Sequence, residues 1–388
     1  SGTITVYYGA GKTTKRSFSL RPQTRATIDL KSLTGISGRL AVMVQSNAPI
    51  VVSRTTQHGN VDVTASTGVP TLAKTWYMAE GYTSLTFKEE LDLFNPGGQA
   101  AHVHLVWPQF NGLPPVTHDL TLAPRSRQTL DVNAYVSHAS HSTIVTADQP
   151  IVAARTMMFG AGDTGAASTP GATQGNTTLY FAEGSTANRF QEYLTILNPD
   201  SKQQAKVTAQ FYGSTGKLLG AKTVTIDPMH RANIKVNDVV SSSTVSTVLK
   251  TNIPVVAERS MYFGPPNSAN IGGTMVFGQA NPAQGWAFAR GTTQPGQSEF
   301  ELLFNPNQNS STVEAVYYLD SGRIVRKTFT LAGNSRLNID VAKLAPLLGH
   351  GYHGVVLRST NGVSFIAEQA IYTNNMANGS ATLGVALQ

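Results

Sequence analysis

Charged residues recur at fixed places inside apolar segments of this chain, although only 13% of its 388 residues are charged. An unpaired charge among apolar side chains is costly, so we expect these acidic and basic side chains to pair. The other interpretation is a repeated acidic and basic groove that binds a ligand. The acidic positions are Glu80, Glu183, Glu89, Glu192 and Glu299, and the basic positions are Arg25, Arg127, Arg231, Arg336, Arg54, Arg155 and Arg259.

The last copy of the pattern indicates which positions pair. There, Arg290 replaces the glutamate and Gln369 replaces the arginine, and two simultaneous changes predict that the two positions touch. We therefore predict structural ion pairs Glu80–Arg155 and Glu183–Arg259, with Arg290 beside Glu368 in the last copy. By elimination the remaining pairs are Glu89–Arg127, Glu192–Arg231 and Glu299–Arg336, unless the two sets of partners are exchanged.

Histidines form the other candidate chemistry. His102 and His104 share one face of a predicted strand, and two further pairs, at 138–141 and 350–353, lie in predicted loops. Zinc needs three or four ligands, and no third ligand follows from the spacing, so we interpret these histidines as surface or turn residues. The sequence also lacks the hydrolase, metalloprotease and phosphate-loop motifs. We therefore expect no enzyme activity, no metal and no cofactor.

The charged positions belong to a pattern that recurs along the chain. An aromatic segment ending in A-[ER]-G, a segment ending in Asn-Pro and a P-[IV]-V-x-x-R segment follow each other in order. Asn95, Asn198 and Asn305, from the second segment, are 103 and 107 residues apart. A spacing near one hundred residues is a common domain size. We therefore predict four tandem repeats: a partial one at 1–75 and full ones at 76–178, 179–285 and 286–388.

Each full repeat consists of short segments that alternate apolar and polar residues and are separated by turn residues, which is typical of strands with one buried face. The third repeat contains eight such segments. Seven or eight short strands in about 100 residues predict tandem immunoglobulin- or fibronectin-like antiparallel β-sandwiches, an all-β fold. One helical turn is predicted within 341–350, and a flexible linker rich in Gly, Ser and Thr at 160–178.

The order of these segments resembles the Ig-like repeats of large secreted bacterial proteins, and the resemblance extends over the whole chain. Such repeats act as stalks, spacers or adhesive units. The resemblance therefore implies an extracellular or cell-surface location, and it supplies no catalytic residue.

The first repeat lacks the A-E-G and Asn-Pro segments, so Arg25 and Arg54 have no glutamate partners within it. Three explanations stay open. The chain is a fragment of a longer array, the first repeat is a reduced cap, or a neighbouring subunit supplies the missing strands as in β-strand addition. In the last case head-to-tail docking would give an open filament.

Tandem domains of one type without an evident catalytic centre favour a structural or adhesive protein, and the low share of charged residues together with abundant Ser and Thr favours an extracellular one. The chain has no cysteine, and its formal charge of +7 is scattered, unlike the basic patches of nucleic-acid-binding proteins. We expect no membrane span, because no window of 18 apolar residues occurs. The favoured function is a bacterial surface stalk, sheath or filament, with copies of the same protein or cell-surface glycans as partners. The alternative is an adhesive or glycan-binding module, for which Trp107, beside Pro108, is the aromatic residue of interest.

Overall fold

The computed structural model describes residues 1–9, 11–36, 38–58, 62–110, 112–160, 162–264, 272–373 and 376–387. Its strands are paired antiparallel throughout the described part of the chain, which confirms the predicted all-β sandwich class. The repeats are called repeats 1 to 4 below. They follow the predicted ranges, except that the first strands of repeats 2, 3 and 4 begin one to three residues earlier, at Ala73, Asn176 and Gly285.

Repeat 1 consists of a three-stranded sheet in the order β2-β1-β3, a two-stranded sheet of β4 and β5, and one short helix. The short helix begins after Asp29, whose carboxylate caps Lys31 N, and ends at Gly35 with a left-handed conformation. The elements are β1 (Gly2–Tyr8), β2 (Lys12–Phe18), α1 (Leu30–Thr34), β3 (Ala41–Ser46), β4 (Ser53–His58) and β5 (Asp62–Thr67).

Repeats 2 and 3 have the same topology, with two sheets joined by one long strand. The strands of repeat 2 are β6 (Ala73–Met78), β7 (Phe87–Asn95), β8 (Ala101–Trp107), β9 (Val116–Leu122), β10 (Ser126–Asp131), β11 (Thr143–Phe159) and β12 (Gly165–Pro170). Those of repeat 3 are β13 (Asn176–Phe181), β14 (Gln191–Asn198), β15 (Ala205–Tyr212), β16 (Leu218–Ile226), β17 (His230–Lys235), β18 (Ser246–Phe263) and β19 (Gly272–Phe277). Short 3-10 turns, Val132–Ala134 and Val236–Asp238, follow β10 and β17.

Repeat 4 has two separate sheets, in the orders β23-β22-β25-β20-β28 and β24-β21-β26-β27. A 3-10 turn, Val341–Leu344, and α2 (Ala345–Leu348) form the helical segment that the sequence predicts within 341–350. The strands are β20 (Gly285–Thr292), β21 (Gln297–Phe304), β22 (Ser311–Leu319), β23 (Ile324–Leu331), β24 (Arg336–Asp340), β25 (Tyr352–Ser359), β26 (Ile366–Thr373), β27 (Asn378–Leu383) and β28 (Val385–Ala386).

The long strands β11 and β18 each contribute to both sheets of a sandwich. The first half of β11 pairs with β6 and β8, and its second half pairs with β7 and β12. Pro150 and Pro254 lie where the strand passes from one sheet to the other, a place where a residue without an N–H costs no ladder hydrogen bond. The segments 246–250 and 255–263, which the alternating pattern predicts as two separate strands of repeat 3, are therefore one strand, β18.

The four repeats form a closed ring around a centre to which each repeat contributes one strand. Strand β5 packs against β12, β12 against β19, β19 against β27, and β27 against β5. The described side chains of these four strands are mostly buried. Each repeat therefore contacts two neighbours, and repeat 4 contacts repeat 1.

The accessible surface of the molecule, 16958 Å², is consistent with one compact body. Area–mass scaling gives about 15,000 Å² for a compact monomer of this mass and about 21,000 Å² for four separate domains of a quarter of the mass. Contacts between the repeats therefore remove about 4,000 Å² of surface from water.

The prediction of a flexible linker at 160–178 is wrong for the described residues of that segment. Residues Gly165–Pro170 form β12, and all but the last of them are buried at the centre of the ring. The side chains of β12 are small because four strands pack closely together at the centre of the ring. Gly272 and Gly273 of β19 show the constraint: an added Cβ would lie 2.5 Å from the main-chain oxygen of Ala377 and 2.5 Å from the ring of Phe159, respectively.

The Asn-Pro segments end in a buried asparagine that caps the turn. Asn95 Nδ2 donates to the main-chain oxygens of Gln99 and Ala123, and its Oδ1 accepts from Gly97 N. Asn198 makes the same set of bonds. The recurrence of these asparagines therefore has a local structural cause.

We expect Gly272→Ala to destabilise the protein, because the new methyl group meets main-chain atoms that cannot move independently. Overpacking of this kind costs about 1–3 kcal/mol. Chemical denaturation followed by tryptophan fluorescence measures the loss. Gly98→Ala is the matched control, because a Cβ at Gly98 would meet nothing within 4 Å. Equal stability of the two variants would contradict the close approach of the central strands.

Candidate functional site

The buried charges lie between repeats. At the boundary of repeats 2 and 3, the guanidinium of Arg155 contacts Glu258 of the next repeat, with Nη2–Oε2 2.7 Å and Nη1–Oε1 3.1 Å. Arg155 also donates to the main-chain oxygen of Glu80. The Glu80 carboxylate turns instead to Ser260 of repeat 3, at 2.9 Å. The predicted pair Glu80–Arg155 is therefore a contact to the main chain, and the carboxylate partner of Arg155 is Glu258.

The boundary of repeats 3 and 4 repeats this arrangement. Arg259 lies between two carboxylates, with Nη2–Oε2 of Glu183 at 2.5 Å and Nη1–Oε2 of Glu368 at 2.6 Å. Glu368 also accepts the main-chain N–H of Ala182, at 2.7 Å. Tyr372 donates its hydroxyl to Glu183, at 2.8 Å. The structure thus brings Glu183 and Arg259 together and adds Glu368 from the next repeat.

The predicted pairs Glu89–Arg127, Glu192–Arg231 and Glu299–Arg336 are wrong. Arg231 crosses the boundary and donates to the main-chain oxygens of Gly81, at 2.8 Å, and His141. Arg336 makes the equivalent bonds to Gly184, at 2.7 Å, and Val245. Arg127 contacts Asp92 of its own repeat. Arg231 and Arg336 therefore bind carbonyl groups of the preceding repeat, and Arg231 also lies 3.7 Å from the Glu80 carboxylate of that repeat. None of the three arginines pairs with the second-strand glutamate predicted for it.

The arginines of repeat 1 have partners in the neighbouring repeats. Arg25 contacts Asp320 and donates to the main-chain oxygen of Ala289, at 3.3 Å, both in repeat 4. Arg54 lies 3.4 Å from Ser168 Oγ of repeat 2. Both arginines lack a glutamate partner within repeat 1, as predicted. The ring, however, brings residues of repeats 2 and 4 into contact with them.

Opposing effects set the pKa values of the buried arginines. Burial alone would lower the pKa of Arg155, but the charge of Glu258 and its hydrogen bonds outweigh this and raise the pKa above its usual value. Burial likewise competes with Glu368 and Glu183 at Arg259, whose pKa is also raised. Burial lowers the pKa of Arg336 to about 10, and the charges of Glu183 and Glu192 offset only part of this shift. Each of these arginines remains charged at neutral pH.

Glu192 is a buried carboxylate without an ion-pair partner within 4 Å among the described residues. In repeat 2 the equivalent Glu89 lies 3.2 Å from His141 Nε2, whereas repeat 3 has Val245 at the position of that histidine. Burial raises the pKa of Glu192 to about 7, although the charges of Arg259 and Arg336 oppose the shift.

Repeat 4 has a different set of polar residues at these positions. Glu299 Oε1 lies 3.3 Å from His353 Nε2 and accepts from Gln369 Nε2 at 2.8 Å. Glu301 is also buried there, with Oε1 3.4 Å from Gln369 Nε2. Arg290 donates to Ser380, at 2.9 Å, and not to Glu368 as predicted, because Arg259 of repeat 3 holds that carboxylate.

The interpretation of all histidines as surface or turn residues is wrong at two positions. His141 and His353 are fully buried beside glutamates of the same repeat. His102 and His104 do lie exposed on one face of β8, where His104 contacts Asp119 at 2.7 Å. A shallow groove runs beside them, lined also by Thr121 and Asp148.

Trp107 is not an exposed binding residue. It is fully buried, and Tyr135 stacks on it with ring centroids 5.4 Å apart. The exposed apolar side chains of repeat 2 lie in its loops instead, and these are Leu85, Phe110, Leu113 and Tyr135.

Sequence reasoning missed Glu258 and Glu368 as the acceptors of the buried arginines. The sequence does contain a signal. Glu258 and Glu368 each directly precede the arginine position of the P-[IV]-V-x-x-R segment, and they lie in the repeats that follow those carrying Arg155 and Arg259. Repeat 2, which follows the repeat carrying Arg54, has Ala154 at the same position. Comparing each repeat with the next one, rather than with itself, would have found the pairing.

Comparisons with known proteins give a partial family match and weak structural likenesses. Residues 150–250 match the model of a family of unknown function, DUF5719. No curated protein sequence matches.

Among solved structures, the chain is similar to Thermotoga maritima protein 1070, with 18% identity, TM-score 0.25, and coverage of 26% of this chain and 93% of that chain. It is similar to the Anabaena sensory rhodopsin transducer, with 22% identity, TM-score 0.20, and coverage of 22% and 83%. It is also similar to a tetra-tandem repeat in the extending region of a large adhesion protein, with 13% identity, TM-score 0.14, and coverage of 100% and 91%.

Within the described residues, no helix has the length and apolar character needed to cross a membrane.

Arg259→Met should destabilise the protein by about 3–5 kcal/mol, because it leaves two buried carboxylates without their guanidinium. Urea denaturation of the purified variants measures the change. Arg326→Met is the control, since its contact with Glu314 is half-exposed and worth less than about 1 kcal/mol. A loss for Arg259→Met no larger than the control's would show that the boundary does not depend on this ion pair.

Glu192 should make the protein less stable as pH rises. Its pKa in the folded state, about 7, lies above the ordinary value of 4.5, so the folded state binds the extra proton. The resulting stability is fully present below pH 4.5 and is lost as pH rises through about 7.

The measurement compares wild type with Glu192→Gln by denaturation between pH 4 and pH 8. We expect the difference in unfolding free energy between them to change by about 3 kcal/mol over this range, in favour of the variant at high pH. Glu314→Gln, at a half-exposed site, is the control. A difference that does not vary with pH would contradict the raised pKa.

Proposed function

We propose that this chain is a non-catalytic structural unit of a bacterial cell surface, in which four β-sandwich repeats act as one rigid block. The observation that carries the proposal is the pair of buried charge networks between repeats, centred on Arg155 and Arg259. Networks of this kind fix the orientation of one repeat on the next. A unit that transmits force or holds other domains at a fixed distance needs this property.

Aromatic contacts support the same proposal, because they recur at both boundaries. Tyr262 of repeat 3 packs edge-on against Phe159 of repeat 2, with centroids 5.3 Å apart. Tyr372 of repeat 4 packs against Phe263 of repeat 3 at 5.1 Å. Each boundary thus contains both an aromatic pair and a buried charge network, which leaves little freedom for hinge motion between the repeats.

Ring closure changes the form of unit that we propose. The sequence left head-to-tail docking of repeat 1 on a neighbouring molecule open, as one of three explanations for its missing strands. In the ring, Thr67 of repeat 1 donates to Leu383 of repeat 4, at 3.2 Å, and Arg25 contacts repeat 4 as well. Repeat 4 is thus in contact with repeat 1 of the same chain. A sheath or layer of ring-shaped blocks fits these contacts better than a stalk of beads.

A second candidate function is adhesion or glycan binding through the loops of repeat 2. The described parts of the loops at 79–86, 108–110 with 112–115, and 135–142 are joined by main-chain hydrogen bonds, among them one from Phe110 N to Ser140 O. They expose large apolar side chains, with Leu85 88% and Phe110 43% accessible. Exposed aromatic and apolar residues on adjacent loops are typical of binding surfaces.

Small-angle X-ray scattering of the purified chain tests the rigid block. A compact chain of this length has a radius of gyration of about 21 Å, and we expect a value close to it. The double variant Arg155→Met with Arg259→Met should loosen both boundaries and increase the radius. A wild-type profile of an extended string of domains would contradict the block.

Two further measurements separate the candidate functions. Protease treatment and antibody labelling of intact source cells test surface exposure, and an intracellular location would refute both candidates. A glycan array probed with wild type and with Leu85→Ser, Phe110→Ser tests adhesion. Binding that the double variant loses would favour the adhesive function, whereas no binding by either protein would favour the structural one.

A further inference from the structure

The core of repeat 4 contains a carboxylate that the other full repeats lack. Glu301 lies on β21, two residues after Glu299, and is fully buried. The equivalent residues of repeats 2 and 3 are Leu91 and Leu194, which are also fully buried. A glutamate in place of a core leucine is costly unless something compensates its charge.

Three ligand-bearing side chains converge at this place. One oxygen each of Glu299 and Glu301 and one nitrogen of His353 lie within 4.8 Å of one another. The glutamates lie on β21 of one sheet, and His353 lies on β25 of the other. An ion at this place would therefore connect the two sheets of the sandwich.

Unpartnered polar atoms around the cluster point to a further ligand. Tyr317, which replaces the Trp107 and Phe211 of the other repeats, is fully buried, and its hydroxyl has no hydrogen-bond partner among the described residues. Its ring lies 5.3 Å from the ring of His353. Burial, then the charges of Glu301 and Glu299, raise the pKa of Tyr317 well above its usual value. The hydroxyl thus belongs to the same polar core.

The remaining atoms of the cluster are also available. No described hydrogen-bond donor reaches Oε2 of Glu301, and Nδ1 of His353 makes no hydrogen bond with a described residue, while its Nε2 lies 3.3 Å from Oε1 of Glu299. Gln369, which replaces the arginine of repeats 2 and 3, donates to both glutamates and so holds them side by side. With a glutamine in place of the arginine, the position supplies no positive charge to the two carboxylates.

We propose that Glu299, Glu301 and His353 bind one divalent transition-metal ion of the zinc class, with the Tyr317 hydroxyl beside it. Two carboxylates neutralise a divalent ion. An imidazole ligand favours zinc and its neighbours over magnesium and calcium, which prefer oxygen alone. Three protein ligands from two sheets make this a site that would stabilise repeat 4, and the inference does not depend on the proposed surface function.

The test compares metal content and thermal stability in a His104→Thr background. This substitution takes the equivalent residue of repeat 3, Thr208, and removes the exposed His104–Asp119 pair as a competing zinc site. Protein unfolded with chelator is refolded with Zn²⁺, desalted and analysed by mass spectrometry of the metal. We expect one zinc per chain and a melting temperature several degrees above that of the protein refolded without metal.

Two loss variants carry residues that repeat 3 already uses. Glu301→Leu and His353→Val should fold, bind no zinc and show no metal-dependent rise in melting temperature. Refolding with Co²⁺ gives a second readout, because direct coordination produces visible absorption bands that should be present in the background protein and absent from both variants.

A gain variant completes the design. Leu91→Glu places a second carboxylate beside Glu89 and His141 in repeat 2, and we expect it to add metal binding there. A folded background protein that takes up neither metal would overturn the proposal and leave the two carboxyl groups of repeat 4 sharing a proton. Equal uptake by the background protein and the Glu301→Leu and His353→Val variants would overturn it as well.

Discussion

A guanidinium buried between two sandwiches is the constraint on which the arrangement of this molecule depends. Arg155 leaves one repeat and reaches Glu258 of the next, and Arg259 does the same with Glu368. Among the described residues, Arg155 has no carboxylate partner within its own repeat, because Glu80 bonds to Ser260 of the next repeat. Arg259 pairs with Glu183 of its own repeat and also needs Glu368 of the next one. Each full repeat therefore needs its neighbour in a single orientation, and strands β5, β12, β19 and β27 are brought together as a result.

Such pairs guide geometry more than they add stability. Removing two charges from water costs about as much as their attraction returns, so an apolar boundary could be equally stable. An apolar boundary, however, tolerates sliding, whereas the fork of Arg259 between Glu183 and Glu368 does not. The hydrogen bonds of Arg231 and Arg336 to main-chain carbonyl groups also fix the orientation of the repeats, because these carbonyl groups have fixed positions.

Much of the fold could be predicted from the sequence, because alternation of apolar and polar residues reports directly on strands. The limits lie where one sequence pattern has two structural outcomes. The segment around Pro254 reads as the end of one strand and the start of another, yet the chain passes straight from sheet to sheet. The small residues of 165–170 read as a linker, because close approach of strands and flexibility call for the same side chains. The charged positions could be recognised from their recurrence, but their partners lie in the next repeat, which comparison of a repeat with itself cannot reveal.

The closed ring has a consequence for how this sequence can diverge. In a ring of four separate identical chains, every substitution would appear four times and would have to suit all four places at once. Here one chain contains all four repeats, so each repeat has its own sequence and can change separately. Leu194 can remain in the core of repeat 3 while Glu301 occupies the equivalent site of repeat 4. One member of the ring can thus be altered while the others preserve the framework, and differences between the repeats become a record of separate local roles.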